Sequence, residues 1–339
     1  MKLVITICAT KSYTYAMIAQ ARRVCSAINN ASVGGGEVII VGDTSNEIKY
    51  VHSEWVKLLP DGWKIHLVSS KNFLEGGENY KTQAQLLIAD MRTTAFSAAR
   101  KLGATHCWSL DSDTLPQPNS LRVMLDCLNF DNNFYGVAMC PYPNTSFLGG
   151  RGTLRNQIAE DWLPEERDLP EWLSMVWERS KKWTRNDKNI EKRIKIITNK
   201  IKKYPPKGNV FELNSKKWRR RGWLENAYPG IGIGSVVPTD WVGFGCTLLS
   251  EKALALAHFE GYEGSGTEDL FIGWSRWYPA GVKMAVIPHC PADHVIWSRK
   301  KGGSEKEYIL HHVYHEQEGE CVGHLRVKQL PWRAELATI

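Results

Sequence analysis

The sequence predicts an α/β protein with a mainly parallel sheet, flanking helices and a basic helical insertion. Apolar runs of strand length alternate with helical patterns through the first 145 residues, as is typical of parallel sheets. The alternation resumes after residue 236, whereas much of the intervening segment is strongly basic. With 339 residues, of which 43% are hydrophobic and 23% charged, the chain has a globular composition, which favours one α/β domain with insertions.

The N-terminal elements alternate between strand and helix. Residues 2–8 are an apolar run that predicts a buried strand, and residues 15–29 have helical periodicity. After a glycine-rich break, residues 37–42 and 64–68 are predicted as the second and third strands. Strands joined through helices usually pair in parallel, so we expect all three strands in one sheet.

Two polar residues follow these predicted strands. Thr10 comes after the first strand and Asp43 after the second. Open α/β sheets bind ligands beyond the carboxyl ends of their strands, which makes both residues candidates for ligand binding. An ordinary turn residue at Thr10 and a helix cap at Asp43 would explain them equally well.

A further strand ends in two acids. The apolar run over residues 105–110 leads directly into Asp111, Ser112 and Asp113. Residues two apart in a strand project to the same side, so the two carboxylates are expected to lie together. Close carboxylates repel, and a bound Mg²⁺ or Mn²⁺ would remove that repulsion. The alternative is a strand that simply ends in a polar turn over residues 114–118.

The core pattern continues beyond these acids. Residues 83–102 before them form an apolar-faced helix closed by Gly103, and Arg92 on it has a plain interpretation as a solvated helix charge. After them, residues 120–128 are predicted as a helix and residues 134–140 as a strand.

A glycine-containing strand begins the last part of the core. Residues 241–250 are apolar, and Gly243 and Gly245 permit close approach of another chain segment or a ligand. Ser250 is then predicted to cap a helix over residues 251–258.

A pair of acids opens the next helix. Thr267 can cap this helix, whose first turn holds Glu268 and Asp269. Acids at this position are explained by the helix dipole alone. A short apolar strand over residues 280–288 and the histidines His289 and His294 come next.

The order of these motifs resembles that of GT-A glycosyltransferases, which use nucleotide sugars. The likeness covers about residues 1–145 and 236–297. It implies a GT-A-like, Rossmann-type sheet and a nucleotide-diphosphate sugar donor, with UDP as the expected nucleotide. It also implies a Mn²⁺ or Mg²⁺ ion that bridges the acids and the diphosphate.

The resemblance also assigns roles to individual residues. Asp269 is the first choice for the catalytic base of an inverting reaction and Glu268 the second, although a retaining route would need no such base. His294 is the candidate metal-ligating histidine, with His289 as a weaker rival. The metal ligands implied are Asp111, Asp113 and His294. The donor-binding residues implied are Thr10, Asp43, Arg92, Asp111, Ser112 and Asp113.

One segment supplies the positive charge of the chain. Residues 180–221 contain 16 Lys and Arg against 3 Asp and Glu, a net of +13, whereas the whole chain has a net charge of +7. Cations interleaved with aromatic residues suit a nucleic acid, with its phosphates and stackable bases. A solvated basic helix or a helix on anionic lipid are the alternatives. The candidate acceptor-binding residues are Lys181, Lys182, Trp183, Lys217, Trp218, Arg219, Arg220 and Trp241.

The acceptor expected from this pattern is DNA. Transfer needs a hydroxyl nucleophile, so a hydroxymethylated pyrimidine base is a coherent acceptor, as in a phage-like DNA-modifying glycosyltransferase. A glycan or lipid-linked acceptor at a membrane surface and a non-catalytic nucleic-acid-binding protein are the alternatives. The expected organisation is a nucleotide-sugar-binding part over residues 1–150, a basic insertion over 151–235, a catalytic part over 236–300 and a tail over 301–339.

The remaining features concern cysteines and histidines. The eight cysteines form no CxxC pair, and several lie in apolar runs, which favours reduced thiols in a cytoplasmic protein. No run has transmembrane length. The tail contains a cluster whose spacing fits no standard zinc framework, so a zinc site and a surface network both remain open. Its members are His311, His312, His315, Cys321 and His324.

Overall fold

The structure is a computed structural model of the 339-residue chain. It describes residues 1–10, 14–43, 45–70, 80–130, 134–142, 236–239, 242–264, 268–287, 290–299, 306–316 and 319–327.

The N-terminal elements follow the predicted alternation, with one further helix, α2. They are β1 (Leu3–Ala9), α1 (Met17–Asn30), β2 (Gly36–Gly42), α2 (Asn46–Leu58), β3 (Trp63–Ser69), α3 (Tyr80–Lys101), β4 (His106–Asp111), β5 (Thr114–Leu115), α4 (Ser120–Asn129) and β6 (Tyr135–Met139).

The C-terminal elements complete the core and add a long hairpin. They are β7 (Val237–Thr239), β8 (Cys246–Ser250), α5 (Glu251–Leu256), α6 (Glu268–Ile272), a π-helical turn (Gly273–Trp277), β9 (Lys283–Val286), β10 (Asp293–Arg299), β11 (Lys306–Glu316) and β12 (Gly319–Val327).

The main sheet has eight strands among the described residues, in the order β3-β2-β1-β4-β8-β6-β9-β7. The first four strands are parallel to one another, and β6 is parallel to β9. Strand β8 is antiparallel to both β4 and β6, and β7 is antiparallel to β9. The predicted α/β class with a mainly parallel sheet is therefore confirmed.

Helices cover both faces of this sheet. Nearly every residue of β1 and β2 is buried irrespective of which face it occupies, the pattern of a strand covered on both sides. Helix α1 packs against α2 and α4, and α3 packs against β1, β2 and α6. Segments from both halves of the chain thus form one core around the central strands β1, β4 and β8.

Helix α2 begins at a capping serine. The Ser45 hydroxyl accepts a hydrogen bond from the backbone N–H of Ile48, and Ile48, Val51 and Trp55 are buried. Two predicted caps elsewhere are confirmed. Gly103 has φ of 72° after α3, and the Ser250 hydroxyl accepts from the backbone N–H of Ala253.

A second sheet lies beside the first, with the strand order β12-β11-β10-β5. The turn predicted over residues 114–118 is corrected in its first two residues, because Thr114 and Leu115 pair with His294 and Asp293 of β10. This pairing joins segments almost 180 residues apart in sequence, and no local pattern encodes it.

The segment predicted as a tail contributes two strands to this second sheet. His311 lies opposite both His294 and His324 in register, whereas Cys321 lies opposite Tyr314. The predicted zinc site of these residues remains a prediction.

Two further observations concern the chain as a whole. Seven cysteines are free thiols, and all of them except Cys8 are buried: Cys8, Cys25, Cys107, Cys127, Cys140, Cys246 and Cys290. Within the described ranges, no helix combines the length and the apolar character needed to cross a bilayer.

Candidate functional site

Three neighbouring parallel strands end side by side at one edge of the main sheet. Ala9 of β1 pairs with Gly42 of β2, so Thr10 and Asp43 follow directly beyond this pair. Cys8 of β1 pairs with Asp111 at the end of β4. The sheet therefore brings Thr10, Asp43 and Asp111 to the edge where open α/β sheets bind ligands.

Asp43 also has a local structural role. Its Oδ1 accepts a hydrogen bond from the backbone N–H of Ser45, 3.1 Å away, just before α2 begins. This is the side-chain-to-backbone bond typical of aspartate in a turn. Thr10 is half-buried beside it. Their proposed contacts with a nucleotide remain a prediction.

The Asp111–Asp113 turn is held by backbone hydrogen bonds from two other segments. The N–H of Asp111 donates to Gly245 O at 3.0 Å, and the N–H of Val295 donates to Asp113 O at 2.8 Å. The Asp111 and Asp113 side chains are 33% and 19% exposed, so both reach the surface of the site. Ser112 between them is buried, which leaves little of this residue for a ligand to contact.

His294 lies against the second acid. Its Nε2 is 3.3 Å from Asp113 Oδ2. Tyr142 packs edge-on against the imidazole, with ring centroids 5.6 Å apart. The antiparallel pairing of His294 with Thr114 explains this proximity, since Thr114 is the neighbour of Asp113. His289, the weaker candidate, lies outside the described residues.

Arg92 connects the acid after β4 with the acid that opens α6. Its guanidinium donates to Asp111 Oδ1 at 2.6 Å, to Glu268 Oε1 at 3.0 Å and to Ser109 Oγ at 3.1 Å. It also lies 4.8 Å from the centroid of the Phe244 ring. Arg92 is only 3% exposed, so the solvated helix charge is not what the structure shows.

Electrostatics explain why this buried arginine stays charged. Burial alone lowers the pKa of the guanidinium, but Asp111 and Glu268 more than compensate and raise the pKa above its ordinary value. Burial also raises the pKa of the nearby Cys8 thiol to about 12, so Cys8 is neutral at physiological pH.

The two acids at the start of α6 have different surroundings. Glu268 is 7% exposed and paired with Arg92. Asp269 is half-buried, and a Cβ placed on Gly243 would be 3.4 Å from its Oδ2. Glu268 is therefore engaged in the core, whereas Asp269 borders the glycine segment. Thr267, the predicted cap, lies outside the described residues.

Tyr142 is a central residue that the sequence analysis did not identify. Its hydroxyl oxygen accepts a hydrogen bond from the backbone N–H of Gly245 at 3.3 Å. A Cβ on either Gly243 or Gly245 would lie 2.7 Å from this oxygen, which confirms the predicted close approach at both glycines. Burial, together with Asp111 and Asp269, raises the pKa of Tyr142 well above its ordinary value, so the phenol stays neutral.

No sequence signal singles out Tyr142. Residues 141–152 have the composition of an ordinary loop, and only the fold brings Tyr142 to Gly243, Gly245 and His294.

The ligands expected for a divalent cation are partly assembled. Donor atoms bound to one such cation, each about 2.1 Å from it, are about 3 Å apart. The 3.3 Å between Asp113 Oδ2 and His294 Nε2 fits such a pair, whereas the partly exposed carboxylate of Asp111 accepts a hydrogen bond from Arg92. No group of three His, Cys, Asp or Glu residues converges within the described segments as a complete metal site. The three-ligand set therefore remains a prediction.

The predicted acceptor-binding residues cannot be placed. They all lie outside the described residues, and they are Lys181, Lys182, Trp183, Lys217, Trp218, Arg219, Arg220 and Trp241.

Comparison with known proteins gives structural neighbours only. No family model and no curated protein matches the chain. The crystal structure of S. aureus TarS 1-349 is 15% identical, with a TM-score of 0.31, over 47% of this chain and 41% of that chain. GalNAc-T7 with UDP, GalNAc and Mn²⁺ is 14% identical, with a TM-score of 0.44, over 87% of this chain and 44% of that chain.

A third neighbour is the mannosyltransferase PcManGT from Pyrobaculum calidifontis in complex with GDP-Man and Mn²⁺. It is 13% identical, with a TM-score of 0.28, over 41% of this chain and 35% of that chain. These neighbours are GT-A fold nucleotide-sugar glycosyltransferases. The overlap spans less than half of each solved chain, and similarity this low leaves the chemistry to be argued from the residues of the site itself.

Proposed function

We propose that this protein is a metal-dependent glycosyltransferase that moves a sugar from a nucleotide-diphosphate sugar, UDP-linked, to a hydroxyl acceptor. One observation carries the proposal. Asp111 is the last residue of a central parallel strand, Asp113 lies beside His294 in the turn that follows, and both carboxylates are partly exposed. A separate acid, Asp269, lies near Gly243, which also approaches Tyr142. Such an arrangement suits both a cation that binds a diphosphate and a base that activates a hydroxyl.

The donor-binding edge would use the residues at the ends of the parallel strands. Asp111, Asp113 and His294 would hold Mn²⁺ or Mg²⁺, which supplies positive charge to the diphosphate leaving group. Thr10 and Asp43, beyond β1 and β2, would contact the base and ribose.

The surroundings of the two acids favour Asp269 over Glu268 as the base. Glu268 is buried, and its Oε1 accepts a hydrogen bond from Arg92. Asp269 is the more accessible of the two and would remove the proton from the acceptor hydroxyl as that oxygen attacks the anomeric carbon. The new bond forms as the bond to the diphosphate breaks, so the anomeric configuration inverts.

For the acceptor we propose a hydroxymethylated pyrimidine in DNA. The support is the charge of residues 180–221, which hold 16 basic against 3 acidic residues. A base in duplex DNA would need to be flipped out to reach the site. A cytoplasmic location, expected from the cysteine pattern, belongs to the same proposal.

The test is transfer from a panel of nucleotide sugars with Mn²⁺, using hydroxymethylated DNA, plain DNA and simple glycans as acceptors. We expect transfer to hydroxymethylated DNA that is lost in Asp113→Ala. Transfer to glycans alone would show that the acceptor is a glycan rather than DNA. If there is neither turnover nor metal-dependent donor binding, the proposal that the protein is a glycosyltransferase is wrong.

A glycan or lipid-linked acceptor at a membrane surface is the second candidate. The same basic segment would support it by binding anionic lipid. Co-sedimentation with anionic vesicles, compared with DNA binding at equal salt, separates these two. A non-catalytic nucleic-acid-binding protein would bind DNA but show no metal-dependent affinity for a nucleotide sugar.

A further inference from the structure

Gln20 of helix α1 binds the segment that bears the two acids from the side of the core. Its Nε2 donates to Asp111 O at 2.5 Å and to Thr114 O at 2.7 Å. The two carbonyls flank the turn that contains Ser112 and Asp113. A single amide group therefore ties together the last residue of β4 and the first residue of β5.

The Gln20 side chain is fully buried, and its oxygen is left unsatisfied. Within the described part of the chain, Gln20 Oε1 is one of three buried side-chain polar atoms without a hydrogen-bond partner. Burying a polar atom without a partner costs free energy. The two bonds from the Nε2 group are therefore the interaction that accounts for a glutamine at this position.

These bonds complete the restraint of the turn. The Asp111 N–H is bound by Gly245 O, and Asp113 O is bound by the N–H of Val295. Gln20 adds the carbonyls of Asp111 and Thr114, so the backbone is fixed at both ends and in the middle. Side chains held on a fixed backbone need little reordering when they bind a ligand.

We propose that Gln20 is a positioning residue for the cation and diphosphate site, acting by holding the Asp111–Thr114 turn in the geometry that directs both carboxylates to one ligand. This inference rests on the proposed function, since it takes Asp111 and Asp113 as the acids of that site. Gln20 itself touches neither ligand. Its effect reaches the carboxylates through the backbone alone.

The same helix offers a matched control. Asn30, at the end of α1, donates from Nδ2 to Pro118 O at 3.0 Å. This bond also joins an amide of α1 to a carbonyl of the chain after β4, but it is exposed and lies beyond the turn. Loss of the Asn30 bond should leave the acids where they are.

The experiment measures the affinity of the full chain for Mn²⁺ with UDP by titration calorimetry, in wild type, Gln20→Met, Gln20→Asn and Asn30→Leu. Methionine keeps the approximate volume without a donor, and asparagine keeps the amide on a side chain too short to reach both carbonyls. Thermal unfolding and far-ultraviolet circular dichroism establish that each variant is folded at the titration temperature.

We expect both Gln20 variants to bind Mn²⁺ with UDP at least tenfold more weakly than wild type, and Asn30→Leu to bind within twofold. A purely structural role predicts a lower Tm with unchanged affinity in the folded Gln20 variants, and that result would overturn the inference. If wild type binds normally and the Gln20 variants match it, only the positioning role fails. If wild type itself binds no Mn²⁺ with UDP, the proposed site fails as well.

Discussion

At the residue level, the two adjacent acids that open α6 have different surroundings. Glu268 is paired with the buried Arg92, whereas Asp269 is half-buried beside Gly243. A base must reach its proton, and a structural counter-ion must stay with its partner. The two carboxylates should therefore respond differently to neutralisation.

We predict that Asp269→Asn lowers the rate of sugar transfer by a factor of at least 100, a loss typical of general base removal. Glu268→Gln should destabilise the fold by about 1.5–3 kcal/mol, because it weakens a buried charged hydrogen bond. Steady-state kinetics and urea unfolding of both variants check this. Equal kinetic losses with equal stabilities would contradict the assignment.

Arg92 provides a second prediction at this scale. Arg92→Lys keeps the charge, but an ammonium group cannot reproduce the forked contacts to Asp111, Glu268 and Ser109. We expect a loss of a few kcal/mol of stability, as for other broken buried charge pairs, measured by urea unfolding. Lys57→Gln, at an exposed ion pair with Glu54, is the control and should leave the urea midpoint close to that of wild type.

At the scale of elements, the site depends on the approach of separate segments to the strand β8. The backbone leading into β8 passes so close to the Tyr142 ring that neither Gly243 nor Gly245 has room for a side chain. Tyr142 in turn packs against His294 of β10. Three segments distant in sequence thus position one another through a single aromatic ring.

Gly245→Ala should destabilise the protein by about 1–3 kcal/mol, the usual cost of overpacking a core. The new methyl group would displace Tyr142. In Gly245→Ala with Tyr142→Ala the clash is absent, so the double variant should lose less stability than the sum of the two single changes. Gly34→Ala, where nothing lies within 4 Å of the added carbon, is the control. Additive losses measured by urea unfolding would contradict the contact.

At the scale of the whole molecule, charge is divided between a basic segment and a remainder of opposite sign. Residues 180–221 have a net charge of +13 in a chain whose total is +7. The charge of the remainder is therefore net negative. Any affinity for DNA should come from the basic segment and depend strongly on salt.

We predict that replacing Lys217, Arg219 and Arg220 by Glu weakens duplex DNA binding and reduces the slope of log affinity against log salt by up to about 3, close to 0.9 per lost phosphate contact. Fluorescence anisotropy at several salt concentrations measures the slope. Lys252→Glu, at an exposed position of α5, is the control and should leave the slope unchanged. An unaltered slope in the triple variant would exclude this segment as the DNA-binding surface.

Features that are local in the chain could be predicted from the sequence. Hydrophobic periodicity located most strands and helices of the core, because burial on a sheet or a helix face repeats every two or about 3.6 residues. Helix caps such as Ser250 could be predicted because the capping side chain binds a backbone N–H only three residues away. The Asp111–Asp113 spacing and its place after a strand likewise follow from adjacent residues.

Which distant residues meet could not be predicted from the sequence, because it depends on how the strands and helices pack. The pairing of β5 with β10 brings His294 to Asp113, and α3 brings Arg92 to Glu268, which lies 176 residues away. Nothing in the neighbourhood of Tyr142 or Gln20 in sequence marks either as part of the site. Their roles arise because strand order and helix packing, rather than sequence spacing, set the distances between side chains from separate segments.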